Sequence, residues 1–184
     1  MDKKLIREKF HKENYKFCKN YGSFRAILKI ISKVKTNKKL NLLIYIAKDK
    51  EINLYKYKRF LCKKFNIYIP KMLSDNSLAF NKLRFPLSEV RFKIKESSSK
   101  IENIKIDIAI IPVLGIDKDF RRVGFGKGFY DRTFSKIDYD LLIIFIQNIK
   151  SVTKNKICLK SDIQGDFYIA NGKTIKRKRN YDIN

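Results

Sequence analysis

The sequence predicts an α/β fold: a single three-layer domain with a largely parallel central sheet, flanking helices and a phosphate-binding glycine-rich loop at the sheet's carboxyl edge. Three observations lead there. Asn41-Leu-Leu-Ile-Tyr-Ile46, Ile106-Asp-Ile-Ala-Ile-Ile-Pro-Val113 and Leu141-Leu-Ile-Ile-Phe-Ile146 are short, almost wholly apolar runs, as expected of strands covered on both faces. Stretches with helical apolar spacing alternate with such runs along the first half of the chain. Three of the seven glycines, Gly124, Gly126 and Gly128, fall at every second position just beyond the second apolar run.

In chain order, residues 2–18 predict a helix. Asp2 is its candidate N-cap, and Leu5, Ile6, Phe10 and Phe17 give an uneven apolar side. Lys3 and Arg7 lie four apart, on one face. Ser23 is positioned to cap a second helix, whose Phe24, Ile27, Leu28, Ile31 and Val34 form a core stripe. After the strand 41–46, Asn53 opens a third helix with Leu54, Tyr57, Leu61 and Phe65 inward. Ile67-Tyr-Ile-Pro70 is the next strand, ended by its proline. Residues 78–85 and 90–95 alternate and predict half-exposed strands. Following the glycines, Tyr130, Phe134 and Ile137 recur at i, i+4 and i+7, one face of a helix. Asp166-Phe-Tyr-Ile-Ala-Asn171 is the last strand and its turn, and residues 172–184 are expected to be a frayed basic tail.

With 184 residues the chain suits one domain, residues 1–184, able to bury a sizeable core. A 44% hydrophobic and 13% aromatic content excludes a disordered chain. No apolar run reaches 18 residues and the Lys-rich start lacks a signal-peptide block, so a cytoplasmic protein without membrane contact is expected. Cys18, Cys62 and Cys158 are too scattered for a disulfide framework or a zinc site. His11 is the sole histidine, which argues against Ser-His or Cys-His nucleophilic chemistry. The net charge is +25, yet its lysines are interspersed among apolar positions and only Lys173–Arg179 forms a block. A solvated surface that attracts anions explains it, with non-specific pull on nucleic acid at most.

The stretch from strand through glycine-rich turn to helix carries the chemistry. Glycine admits an oxyanion close to backbone N–H groups, the helix start offers more of them, and Lys127 adds a point charge. The pattern is that of a polyphosphate cradle, although its spacing is neither the Walker A loop nor the dinucleotide fingerprint. Asp131 falls in the first turn of the helix. An acid beside bound phosphates calls for a divalent cation, and Mg²⁺ takes one or two carboxylates plus phosphate oxygens. Glu51 follows a strand, at the edge where ligands collect in such sheets.

Pro112-Val-Leu-Gly-Ile-Asp117 and Arg122-Val-Gly-Phe-Gly-Lys-Gly-Phe-Tyr-Asp-Arg132 closely resemble the signature of the 5-formyltetrahydrofolate cyclo-ligase family. That signature runs Pro-Gly-x-x-Phe-Asp, a short loop, then Arg-Leu-Gly-x-Gly-x-Gly-Tyr-Tyr-Asp-Arg. The resemblance implies ATP- and Mg²⁺-dependent closure of 5-formyltetrahydrofolate to 5,10-methenyltetrahydrofolate, with release of ADP and phosphate. It implies nucleotide contacts at Lys3, Lys4, Arg7, Arg122, Gly124, Phe125, Gly126, Lys127, Gly128, Phe129 and Tyr130. Folate contacts are implied at Ile46, Glu51 and residues 125–129, catalytic roles at Lys127 and Glu51, and metal ligation at Asp131 and Asp162. The family also carries a Gln after the strand that ends before Gln147.

Departures are Phe120 for a loop glycine, Val123 for leucine, Phe125 for a position often basic or aromatic, Ser97 for the proline after Glu96, and Ser161 for His or Asn. The expected species is a monomer whose partner is its folate substrate, 5-formyltetrahydrofolate with or without a polyglutamate tail. A basic nucleic-acid-binding module, or an inactive phosphate-ligand-binding relative on the same fold, remain the alternatives.

Overall fold

The computed structural model describes residues 2–14, 22–48, 50–91 and 94–178. A seven-stranded sheet forms its centre, in the spatial order β11-β10-β9-β6-β1-β2-β3. Its members are β1 (Asn41–Leu43), β2 (Asn66–Met72), β3 (Leu78–Lys82), β6 (Ile108–Pro112), β9 (Leu142–Gln147), β10 (Phe167–Ala170) and β11 (Lys173–Lys176). The five inner strands pair in parallel, and β3 and β11 close the two edges antiparallel. Two-stranded pieces lie outside it: β4 (Leu87–Glu89) with β5 (Lys95–Ser97), and β7 (Gly115–Ile116) with β8 (Arg122–Val123).

Successive side chains of a strand point to opposite faces, and here both faces are apolar. Leu42, Ile67, Ile108, Ile110, Ile144 and Ile169 build one core beneath α2 (Ser23–Ile31) and α3 (Lys58–Lys64). Leu43, Tyr68, Ala109, Ile111, Phe145 and Tyr168 build the other, against Phe134 of α4 (Phe129–Phe134). α1 (Lys3–Asn14) seats Ile6 and Phe10 on Leu114 and Val123, in a third cluster next to the glycine-rich turn. This is the three-layer, largely parallel architecture that the apolar runs imply.

Several expectations are corrected. Asp2 does cap α1, its Oδ1 accepting the Lys4 N–H at 2.9 Å, but Leu5 is exposed and the apolar side narrows to Ile6 and Phe10. Phe17 lies outside the described residues. Ser23 is the first residue of α2 rather than its cap; Gly22 precedes it, and Ile30 replaces the exposed Val34 in the stripe. The third helix begins as a 3₁₀ turn over Leu54–Tyr57, which leaves Tyr57 outside, stacked on Phe24 at 3.7 Å between ring centroids. Pro70 does not end β2. It sits opposite Phe80 at a position between ladder hydrogen bonds, so its missing N–H faces the other side, where β1 has already stopped. The strand expected over 90–95 is not continuous: Val90 N–H donates to Ile94 O at 2.8 Å between β4 and β5, and residues 92–93 lie outside the described residues.

The tail is also corrected. Asn171 and Gly172 both take positive φ, 52° and 72°, the backbone of a two-residue hairpin turn. Residues 173–176 therefore fold back on β10, and Arg177 pairs with Asp166 at 3.0 Å. Only residues 179–184 of the expected frayed tail lie outside the described residues. No described helix is long and apolar enough to cross a membrane.

Candidate functional site

The carboxyl ends of β1, β2 and β6 meet the turn 122–130 around a cavity of about 150 Å³. Its walls are apolar where Ile46, Pro70, Met72, Leu78 and Pro112 face Phe125 and Phe129. Its polar groups are few: Glu51 on one side, Arg122, Lys127 and Tyr130 on the other, with Lys48 and Lys95 at the rim. Few polar groups within apolar walls are what a small-molecule site needs to fix orientation. A second cavity, about 320 Å³, shares Lys48, Glu51, Pro112 and Phe125 with it and extends to His11, Tyr45 and Gln147.

The turn is tied down by bonds from near and from far along the chain. Asp117, 1% exposed, accepts four backbone N–H groups: Asp119 and Arg121 on Oδ1, Ile157 and Cys158 on Oδ2. That carboxylate gathers the loop between β7 and β8 and the chain at 157–158 into one knot. Phe120, standing for the family glycine, adopts φ 60°, a left-handed backbone that costs a side-chain-bearing residue on the order of 1 kcal/mol. Its ring is partly buried against the second core, which offsets that strain. Gly126 and Gly128 have φ 99° and 71° and need no such compensation. Arg7 reaches from α1 to donate from Nε to Gly124 O at 2.9 Å, so the first helix holds the turn in place.

Arg122, 5% exposed, makes a two-pronged ion pair with Asp131: Nε to Oδ1 and Nη2 to Oδ2, both 2.7 Å. Asp131 Oδ1 also accepts the Ile163 N–H at 3.1 Å. The guanidinium lies 5.3 Å from the centre of the Tyr130 ring. Thus the acid in the helix's first turn is neutralised by an arginine nine positions earlier. On the opposite wall Glu51 accepts the Lys48 N–H at 2.9 Å. Burial raises its pKa above the usual carboxylate range, against the lowering pull of that N–H and of the Lys48 charge. Burial likewise lifts Tyr130 and Tyr45 above the ordinary phenol value, and the negative charge of Glu51 adds to both. Burial pushes the Cys158 thiol up to about 12, which removes it as a nucleophile at neutral pH.

The expected residues are thus largely brought together. Ile46, Glu51, Arg122, Phe125, Lys127, Gly128, Phe129 and Tyr130 line one cavity, and Arg7 touches the turn behind it. Lys3 instead pairs with Asp162 at 2.5 Å, and Lys4 is exposed on α1. Gln147 is buried at the end of β9, donating from Nε2 to Leu114 O and accepting the Asn148 N–H. Lys48, Lys95, Pro70, Met72, Leu78 and His11 join the site without having been expected there. Local pattern gives no sign of them except at Lys48, whose place after a buried strand is the carboxyl edge itself.

The residues present fit a magnesium ion only in part. Among the described residues no group of three or more His, Cys, Asp and Glu side chains could hold a metal. Both Asp131 oxygens are taken by Arg122. The bonds that the Asp162 carboxylate accepts, from Lys3 and from the Leu159 N–H, both fall on Oδ2. Mg²⁺ that rides on a phosphate chain needs only one or two carboxylates, so Asp162 suits it, whereas Asp131 would first have to leave its arginine.

Residues 2–159 match the model of the 5-formyltetrahydrofolate cyclo-ligase family. The chain belongs to that family. Among curated cyclo-ligases it is 36% identical to that of Mycoplasma genitalium over 85 residues and 31% identical to that of Haemophilus influenzae over 104. These matches take in 40% and 50% of this chain, and the chain spans about half the length of each relative, 52% and 54%. The solved 5,10-methenyltetrahydrofolate synthetase of Aquifex aeolicus superposes with a TM-score of 0.70 at 20% identity, over 100% of both chains. That of Mycoplasma pneumoniae gives 0.71 at 21% identity, over 93% of this chain and 99% of the other. The cyclo-ligase fold is therefore shared end to end, and the family signature coincides with the turn that walls the cavity.

Proposed function

We propose that this chain closes 5-formyltetrahydrofolate to 5,10-methenyltetrahydrofolate at the expense of ATP, as a soluble cytoplasmic enzyme. The observation that carries the reading is one cavity with a lysine-bearing, arginine-backed glycine turn on one wall and a desolvated carboxylate, Glu51, on the other. The turn is suited to a triphosphate and Glu51 to the adjacent N–H donors of a pterin ring.

Formyl oxygen is a poor leaving group. Transfer of the γ-phosphoryl group to it forms the O–P bond and releases ADP. The neighbouring N10 amine then attacks the formyl carbon and loses its proton, and the C–O bond breaks with departure of phosphate. Phosphoryl transfer needs positioning and charge neutralisation more than proton chemistry. Lys127 and the amides of residues 124–128 take the phosphate charge, while Arg7 keeps the turn in register. Phe125 and Phe129 wall the meeting point and, with Ile46 and Met72, keep water from the phosphorylated substrate. Bound Mg²⁺ would neutralise phosphate oxygens, held by Asp162, with Asp131 serving through its grip on Arg122.

The test is direct. Purified protein given 5-formyltetrahydrofolate and Mg-ATP should build up methenyl absorbance in step with ADP. No growth, or growth without ATP, overturns the reading. A thermal-shift panel should show stabilisation by Mg-ATP and folate and little by an oligonucleotide, since only a ligand of the native state raises the melting temperature.

A further inference from the structure

The amino edge of the sheet, opposite the substrate cavity, carries a groove of about 610 Å³. It runs between α2, the connection over residues 32–40 and α3, and shares no lining residue with the two cavities described above. Ile31, Leu40 and Phe65 carry the first core out to an apolar floor, which Leu28 and Phe60 extend. Phe60 is 40% exposed there. Arg25, Lys29, Lys38 and Lys64 stand around this floor, and no acid lines it. Lys38 reaches Asp107 at 3.4 Å, whereas Arg25, Lys29 and Lys64 have no ion-pair partner among the described residues. Lys29 and Lys64 sit in the last turns of α2 and α3, where the helix dipole tolerates a cation without neutralising it. The imbalance is regional: from Gly22 to Lys48, and again from Ile52 to Leu73, the chain has no Asp or Glu.

We propose that this groove docks an acidic amphipathic helix of another protein, its apolar stripe on the floor and its carboxylates against the cations. An apolar furrow between two helices is what a third helix packs into, and the unopposed positive charge selects an acidic one. Nucleic acid is the other polyanion to weigh, and the rings speak against it. Phe24 covers one face of Tyr57, with centroids 3.7 Å apart, and Lys64 stands over Phe60 at 5.5 Å. Bases stack on open aromatic faces, whereas this aliphatic floor suits Leu or Phe side chains. Because the groove lies at the far edge of the sheet, the docking is independent of the ring closure proposed above.

The probe is a fluorescein-labelled synthetic peptide of about 18 residues, with Leu along one helical face and Glu and Ala elsewhere. It is titrated by fluorescence anisotropy into the full chain at about 0.15 M salt, where bare charge attraction is largely screened. A scrambled peptide of the same composition, with its leucines spread around the helix, and an oligouridylate are the controls. Saturable binding of the amphipathic peptide is expected, weakened about tenfold by the Lys29→Glu/Lys64→Glu pair and by Phe60→Ala. Each variant should keep a cooperative melt, since all three side chains are exposed. No binding, or binding that survives both variants, overturns the groove. Equal binding of the scrambled peptide would reduce it to charge alone and overturn it too. Tighter binding of the oligouridylate, lost in the same variants, would replace the helix with nucleic acid.

Discussion

Glu51 and Asp131 are both acids beside the same cavity, yet the fold treats them in opposite ways. Asp131 is clasped by a buried guanidinium at 2.7 Å on each oxygen and stands behind it, so the wall presents a cation. No such fork meets Glu51 among the described residues; a backbone N–H holds it and burial raises its pKa. A carboxylate that serves a neighbour is saturated by that neighbour. One that serves a ligand is left desolvated and short of partners, and the ligand supplies what is missing. The sequence treats the two alike, as acids near an element end, and only the partner found across space separates them.

Breaking the clasp should have the largest effect. Arg122→Met strands the Asp131 carboxylate, which keeps only the Ile163 N–H among these partners, and leaves a partly buried charge uncompensated. A loss of about 3 kcal/mol is expected, read as a lower urea midpoint at unchanged slope. A shift below about 1 kcal/mol would mean that solvent already carries that charge. Asp131→Asn is the sharper control, because it keeps one acceptor while removing the ion pair, and should fall between Arg122→Met and the native chain. Next comes Lys127→Ala, at an exposed position on the turn, which should weaken ATP binding about tenfold in calorimetry and leave stability alone. Unchanged nucleotide affinity would take Lys127 out of the cradle.

Much of this molecule is legible in its sequence, for identifiable reasons. Parallel strands covered on both faces must be apolar at nearly every position, so 106–113 and 141–146 declare themselves. The glycine spacing at 124–128 declares a turn because Gly126 and Gly128 do adopt left-handed φ. What escaped was set across distance or by a competing local signal. The Arg122–Asp131 pair needs β8 and α4 folded to be seen. Asn171-Gly172 carries a strong hairpin signal, yet the lysines that follow it read in sequence as a solvated tail. They read differently once β11 is recognised as an edge strand, where exposed lysines are expected because they discourage further pairing. Pro70 misled because a proline ends a ladder only on the side its nitrogen faces.

The subtlest test addresses Glu51 itself. Burial raises its folded pKa above the unfolded value, so the native state holds a proton more tightly than the denatured chain does. The stability this contributes is complete below the ordinary carboxylate value, about 4.3, and is lost as pH rises through the folded pKa. Glu51→Gln keeps an oxygen for the Lys48 N–H but cannot ionise. Its melting temperature relative to the native chain should therefore climb as pH is raised from about 4 to 7, while folate affinity falls because the charged acceptor is gone. A flat difference across that range would mean Glu51 is as well solvated folded as unfolded. The contrast with Asp131 would then disappear, since neither acid would be waiting for a ligand. The opposite slope would place Glu51 in a hidden ion pair and make it the second clasped acid of the site.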